Sequence, residues 1–96
     1  MENEQQKIFN VRNVSEDLVD FYLDECMVRH GACSCSRCIA DIRAYALNQL
    51  PPRYVVTTAG SAFARARAMS TQAKADIISA ISTGINLVKK NPRHDD

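Results

Sequence analysis

Apolar positions recur at helical spacing along most of the chain. Between residues 15 and 30, Leu18, Phe21 and Tyr22 fall at i, i+3 and i+4, with Glu25 at i+7, and Val19, Leu23 and Cys26 widen the stripe. That spacing predicts a helix with one apolar face. Ser15 suits its N-cap, Glu16 and Asp17 suit the positive end of its dipole, Arg29 and His30 suit the negative end, and Gly31 suits the stop. A second helix is predicted from Ser36, as its cap, to about Gln49. Ile39, Ile42, Ala46 and Leu50 share one stripe there, Asp41, Arg43 and Asn48 fall away from it, and Pro51 and Pro52 end it. Residues 53–58, Arg-Tyr-Val-Val-Thr-Thr, are β-rich; with no second strand candidate they read as an extended connector rather than an edge strand. Residues 61–69 predict a short helix with Phe63, Ala66 and Met69 inward and Arg65 and Arg67 outward. Ser70 caps a last helix reaching about Lys90, striped by Ile77, Ile78, Ile81, Ile85 and Val88 and broadened by Leu87, with Asn91 and Pro92 as its stop. Gly84 sits in mid-helix, where glycine costs about 1 kcal/mol against alanine. With Ala80 it offers a small surface for a close helix approach.

These elements predict an all-α fold: a small domain of four to five helices with a cysteine-rich helix–loop–helix corner. Residues 1–14 read as a flexible or partly helical arm carrying Ile8, Phe9, Val11 and Val14. Residues 15–91 read as the single helical domain, and 92–96 as a polar tail. A chain of 96 residues makes one domain with a marginal core. Small size, the long apolar last helix and Gly84 together predict a homodimer.

Composition narrows the class. Apolar residues make up 46% of the chain and charged residues 24%, which is globular rather than disordered. The net charge of +1 gives no global basic field, so no direct nucleic-acid partner is expected. No apolar run reaches membrane length, and the polar start MENEQQKIFN lacks the pattern of a signal peptide, so no membrane partner and a cytoplasmic location are expected. In a reducing compartment, four clustered cysteines point to metal or redox chemistry rather than disulfides.

The cluster is Cys33-x-Cys35-x-x-Cys38, with Cys26 seven residues before Cys33. Zinc takes four ligands in a tetrahedron, and thiolates suit it. Cys26 falls near the end of the first predicted helix, Cys33 and Cys35 on the turn, and Cys38 in the first turn of the second helix. The four are expected to converge on one corner and hold zinc, the dipole of the second helix lowering their thiol pKa values. Cys26 can instead pack in the core as a small apolar residue, leaving His30 as a rival fourth ligand. A metal-free thiol cluster and a Cys35–Cys38 redox pair are the other readings; the latter lacks its usual βαβ setting.

Arg37, Asp41, Arg43, Asn48, Arg53 and Tyr54 cluster around the second helix and its exit. Arg37 and Asp41 at i, i+4 read as a surface ion pair. The same residue types also suit a nucleotide: arginine takes phosphate and guanine edges bidentately, aspartate or asparagine accepts from guanine, and tyrosine stacks. The ion-pair reading is the simpler from the residues alone. His94 is a tail histidine without an assigned role. No phosphate loop, dinucleotide-binding glycine turn, H-E-x-x-H or nucleophile elbow occurs, so no enzyme activity is expected.

The run Ala32-Cys33-Ser34-Cys35-Ser36-Arg37-Cys38, then Asp41-Ile42, then residues 46–57, ALNQLPPRYVVT, resembles the late competence development protein ComFB family. Gln72, Asp76-Ile77, Val88 and Asn91-Pro92-Arg93-His94 extend the resemblance, over residues 10–94 in all. The resemblance implies a small helical, usually dimeric, non-catalytic protein with a cysteine-bound metal in some members. It also implies a cyclic-nucleotide receptor, notably for cyclic di-GMP, tied to competence, motility or cell size and acting on a downstream regulatory protein. The matched positions are Cys33, Cys35, Cys38, Asp41, Asn48, Pro51, Pro52, Arg53 and Tyr54. The expected ligand site is Arg37 of the polar cluster with the matched Asp41, Asn48, Arg53 and Tyr54, and the expected metal site is the matched Cys33, Cys35 and Cys38 with Cys26, which lies outside the matched block, holding zinc. The alternative is a metal-stabilised protein-interaction module with no small ligand. A structural role also remains open for Asn48 as a helix cap and for Tyr54 in the core.

Overall fold

The computed structural model describes residues 10–68 and 70–92. The order of elements is β1 (Arg12–Asn13), α1 (Val14–His30), α2 (Ser36–Gln49), β2 (Tyr54–Val55), α3 (Thr58–Ala68) and α4 (Thr71–Lys90). Three long helices form the body. Leu18, Val19, Tyr22 and Leu23 of α1, Ile42 and Ala46 of α2, and Ile77, Ile81 and Ile85 of α4 meet in one core. Most of each predicted stripe thus becomes a buried face, since removing apolar surface from water is the main force assembling a small helical domain, but Phe21 of α1 and Leu87 of α4, read into those stripes, stay exposed.

Two caps differ from the expected ones. Asn13, not Ser15, caps α1: its Oδ1 accepts from the Ser15 N–H at 3.1 Å. The same oxygen accepts from the Arg53 N–H at 2.8 Å. Ser15 is buried, and its hydroxyl donates instead to the Pro51 carbonyl at 2.8 Å. The cap of α1 and the exit of α2 are therefore tied by one polar cluster. At the other end of α1, Gly31 adopts φ +62°, a left-handed stop that a side chain would strain. The Ala32 N–H then donates back to the Met27 carbonyl at 2.9 Å.

The β-rich segment after Pro52 does find a partner. Tyr54–Val55 pairs antiparallel with Arg12–Asn13 just before α1. A two-residue strand carries too few residues for alternation to reveal it, so the partner was invisible in the sequence. Helix α3 starts at Thr58, three residues before the predicted start. Phe63 and Ala66 are exposed rather than inward, Phe63 at 66%. Met69 lies outside the described residues.

Gly84 is buried inside this chain, on the α4 face that meets α2. A Cβ there would stand 3.1 Å from Tyr45 Cδ2 and 3.3 Å from the Ile42 carbonyl oxygen. The close approach anticipated at Gly84 is thus made by α2 of the same chain, and it supplies no surface for a second copy. Gly84→Val is expected to cost about 1–3 kcal/mol by overpacking against backbone, read as a lower chemical denaturation midpoint. Unchanged stability would show that α2 and α4 can separate freely at this point.

Candidate functional site

The cysteine corner follows directly from how α1 stops and α2 starts. After the Gly31 stop the chain turns sharply, and Cys35 takes the extended conformation of an N-cap. Ser36 was the expected cap; the structure uses the Cys35 sulfur, which accepts from the Cys38 N–H at 3.4 Å. That contact brings residues 35 and 38 to the same side of the first turn, and the turn brings Cys33 alongside. The sulfurs of Cys33, Cys35 and Cys38 lie within 4.8 Å of one another. A tetrahedral zinc with Zn–S near 2.3 Å places its sulfurs about 3.8 Å apart. A contraction of about 1 Å at most therefore seats an ion among them, and these three cysteines can hold a metal. Burial is graded from Cys38 (1% exposed) through half-buried Cys35 to exposed Cys33, so the corner is anchored in the core and open at its rim.

Burial, reinforced by side-chain hydrogen bonds that hold the neutral thiol to Cys35 and then Cys33 and by their like charge, pushes the metal-free Cys38 thiol up to about 12. The dipole of α2 was expected to lower it, but without a cation desolvation wins. A bound dication reverses that balance, because a coordinating thiol is held as thiolate.

The other two proposed donors stand apart. Cys26 is buried in the core beside Leu23 and Met27 and does not join the sulfur group. Burial, with Glu25 adding and Arg29 opposing, raises its pKa as well. The His30 Nε2 lies 3.2 Å from the Ser82 hydroxyl, and the His30 carbonyl accepts from Lys89.

The polar residues divide between two places. Arg37 Nε reaches both carboxylate oxygens of Asp41 at 3.1 Å along one side of α2. Arg43 reaches across to α1, meeting Asp20 at 2.7 Å and Glu16 at 3.1 Å, and so fastens the two helices. Its pKa is raised, first by the hydrogen bond to Asp20. Asn48 is exposed on α2, and Leu50 rather than Asn48 caps that helix. Arg53 and Tyr54 lie elsewhere, in the wall of a cavity of about 660 Å³ between β2, α3 and the start of α4. Phe63 and Arg67 of α3 and Gln72 and Asp76 of α4 complete its working surface. Tyr54 is 65% exposed, so its ring faces solvent rather than the core. The Gln72 amide donates to Asp76 at 2.8 Å, which fixes that carboxylate. Sequence reading did not select Phe63, Arg67 or Gln72 for this site. Phe63 resembled a core position, and only the β1–β2 pairing shows that the exit of α2 folds back towards α3.

The model of the late competence development protein ComFB matches residues 12–92. The chain belongs to the ComFB family. It is 28% identical over 79 residues to the competence protein ComFB of Bacillus subtilis (strain 168), covering 82% of this chain and 78% of that protein. It also superimposes on the solved structure of the late competence protein ComFB from Bacillus subtilis with a TM-score of 0.79. That match has 24% identity and covers 88% of this chain and 93% of the other, so it carries the fold. The ComFB match includes the whole cysteine corner and the Arg53–Asp76 cavity. No helix among the described residues is long and apolar enough to cross a membrane.

Proposed function

We propose that this ComFB-family chain is a cytoplasmic, non-enzymatic receptor for a cyclic dinucleotide, cyclic di-GMP favoured, with a zinc ion at the cysteine corner. The observation that carries the ligand reading is the cavity that gathers Arg53, Tyr54, Phe63, Arg67, Gln72 and Asp76. Its volume lies within the range of small-ligand sites. Two guanidiniums suit two phosphates, two aromatic rings suit stacked bases, and a fixed carboxylate beside an amide suits the hydrogen-bonding edge of guanine. None of these groups forms a nucleophile–base pair, which supports binding without turnover. A signal read this way passes to a downstream regulatory protein. The test is calorimetric titration with cyclic di-GMP, cyclic di-AMP and cyclic AMP. Micromolar or tighter binding of the first, about −8 kcal/mol or better, supports the reading. Silence towards all three leaves an interaction module.

A second feature supports a homodimer. Phe21 and Val28 are 75% and 82% exposed and lie seven residues apart on the outer face of α1. Phe21, Leu18 and Tyr22 line an apolar hollow of about 450 Å³, rimmed by Asp17, Asp20 and Arg65. Apolar positions at this spacing make one stripe along a helix, which water covers poorly. Light scattering is expected to give twice the chain mass at micromolar concentration, and Phe21→Asp to halve it. A wild-type monomer mass would remove the dimer.

A further inference from the structure

We propose that Cys33 is a site of oxidation by peroxides and that Cys35 resolves it as a disulfide, which dismantles the metal corner. The release of an ion rests on the metal reading above; the sulfur chemistry stands on the cysteines themselves. Three sulfurs lie within 4.8 Å of one another, but they are not equivalent. Cys33 is exposed, Cys35 half-buried and Cys38 only 1% exposed. Oxidation of cysteine follows thiolate character and exposure. A cysteine holding a metal is a thiolate whichever of the three it is, so exposure separates them, and an oxidant meets Cys33 first. Cys33 also borders a cavity of about 240 Å³. A water takes up about 30 Å³ in the liquid, so a peroxide has room to approach.

In the first step the Cys33 sulfur attacks one peroxide oxygen. A sulfur–oxygen bond forms, the oxygen–oxygen bond breaks, and the departing oxygen leaves as water once it has taken a proton. In the second step the Cys35 sulfur attacks the Cys33 sulfenic acid. The disulfide forms, the sulfur–oxygen bond breaks, and the hydroxyl leaves as a second water. Two thiols are oxidised and one peroxide is reduced. Cys35 suits the resolving role because it precedes α2 in extended backbone, outside the helix. A disulfide needs its sulfurs about 2.05 Å apart, so the two side chains close by about 3 Å at most between them. Cys38 is as near, but it is buried in the first turn of α2, bordering the same cavity as Ile42, Ile85 and Val88. Bonding it to Cys33 would draw its sulfur away from that apolar wall. Cys26 stands outside the group.

The product differs from the metal site in what it joins. Cys33 and Cys35 both precede Ser36, where α2 begins, so their disulfide closes the loop on itself and fastens no helix. A metal on the three sulfurs instead ties that loop to α2 through Cys38. After oxidation Cys38 is the one sulfur of the group still able to ligate, too few for an ion that takes four ligands. Peroxide thus removes the cross-link between the end of α1 and the start of α2, and a dithiol reductant restores it.

The test treats the full chain, zinc-loaded and metal-stripped, with hydrogen peroxide. Zinc release is followed with a chromogenic chelator, and tryptic peptides are weighed without reduction. Cleavage after Arg29, Arg37 and Arg43 puts Cys33 and Cys35 in the peptide 30–37 and Cys38 in the peptide 38–43. The expected result is a peptide 30–37 lighter by two hydrogens, an unlinked 38–43, one zinc released per disulfide, and recovery of zinc binding after dithiothreitol. In Cys35→Ser, dimedone is expected to trap a sulfenic acid on Cys33, whether or not that variant holds metal. Cys26→Ser is expected to behave as wild type. A peptide 30–37 joined to 38–43 would overturn the pairing, and cysteines left reduced by excess peroxide, or dimedone absent from Cys33, would overturn the oxidation site. A chain that never holds zinc would remove the metal reading alone, since the mass of peptide 30–37 still decides the sulfur chemistry.

Discussion

Removing the metal from the cysteine corner is expected to lower the thermal midpoint by roughly 10 °C or more. A ligand bound only by the folded state stabilises it by about 2.7 kcal/mol at 100 times its dissociation constant, and by about 4.1 kcal/mol at 1,000 times. In a domain of this size each kcal/mol moves Tm by about 4–8 °C. The corner has this leverage because Cys38 is buried at the start of α2 and Cys33 lies two residues past the Gly31 stop of α1. Cys38→Ser is expected to abolish stoichiometric zinc and reproduce the chelator effect. Cys26→Ser is expected to cost about 1–3 kcal/mol through a hydroxyl placed in the core, but to leave zinc content unchanged. Elemental analysis beside thermal melts separates the two. A wild-type chain whose Tm ignores chelator, with zinc absent from the start, would remove the metal from the account. The pH dependence has a definite sign. In the metal-free protein the folded Cys38 thiol titrates at about 12, against an ordinary value of 9.0. Between about 9 and 12 the unfolded chain has lost a proton that the folded chain keeps, so stability falls as pH rises through that window. Below it both forms are protonated and Cys38 contributes no slope. Zinc must displace that proton, so zinc affinity falls as pH is lowered.

The helical body was legible because each of its long helices carries a full apolar stripe and ordinary stop signals. Ile77, Ile81 and Ile85 fell where periodicity put them, and Gly31 and Ser70 ended and began helices as their residue types suggest. The misreadings share a physical cause: each depended on a partner distant in sequence. Ser15 looks like a cap until Pro51 is seen to need its hydroxyl. Phe63 looks like core until α3 is seen to lie along the edge of the body, with none of its described side chains buried. Gly84 looks like a surface for another chain until Tyr45 and Ile42 fill the space beside it. At the cysteine corner, C-x-C-x-x-C alone brings three sulfurs together, since its spacing matches one tight turn and one helical turn. Cys26 lies on a helix face already committed to the core, and face commitment depends on the whole packing, which local spacing does not show. Likewise Arg53 and Tyr54 could be singled out beside the prolines, but their neighbours Phe63, Arg67 and Gln72 are gathered only by the two-residue ladder that turns the exit of α2 back along α1.

Those neighbours give the ligand reading its sharpest expectation. Arg53→Ala and Arg67→Ala are each expected to weaken cyclic di-GMP binding by roughly 10–100-fold, since a hydrogen bond to a charged group contributes about 1.5–3 kcal/mol. Tyr54→Ala is expected to cost a similar amount through lost base stacking, worth about 1–3 kcal/mol. None of the three should disturb the fold: Tyr54 is exposed, Arg67 is exposed, and the ladder contacts of Arg53 run through its backbone N–H and carbonyl, which alanine keeps. Asp76→Asn is expected to discriminate among bases, because it replaces an acceptor that suits the guanine edge by a mixed donor and acceptor. Arg37→Ala serves as the internal contrast. Its guanidinium is engaged by Asp41 on the side of α2, and it is not among the residues lining the cavity. If the cavity is the site, Arg37→Ala leaves affinity within a few-fold of wild type while Arg53→Ala and Arg67→Ala lose it. If Arg37→Ala, Asp41→Ala and Asn48→Ala abolish binding and Arg67→Ala does not, the ligand sits on the outer face of α2, and the cavity between β2 and α3 serves another purpose.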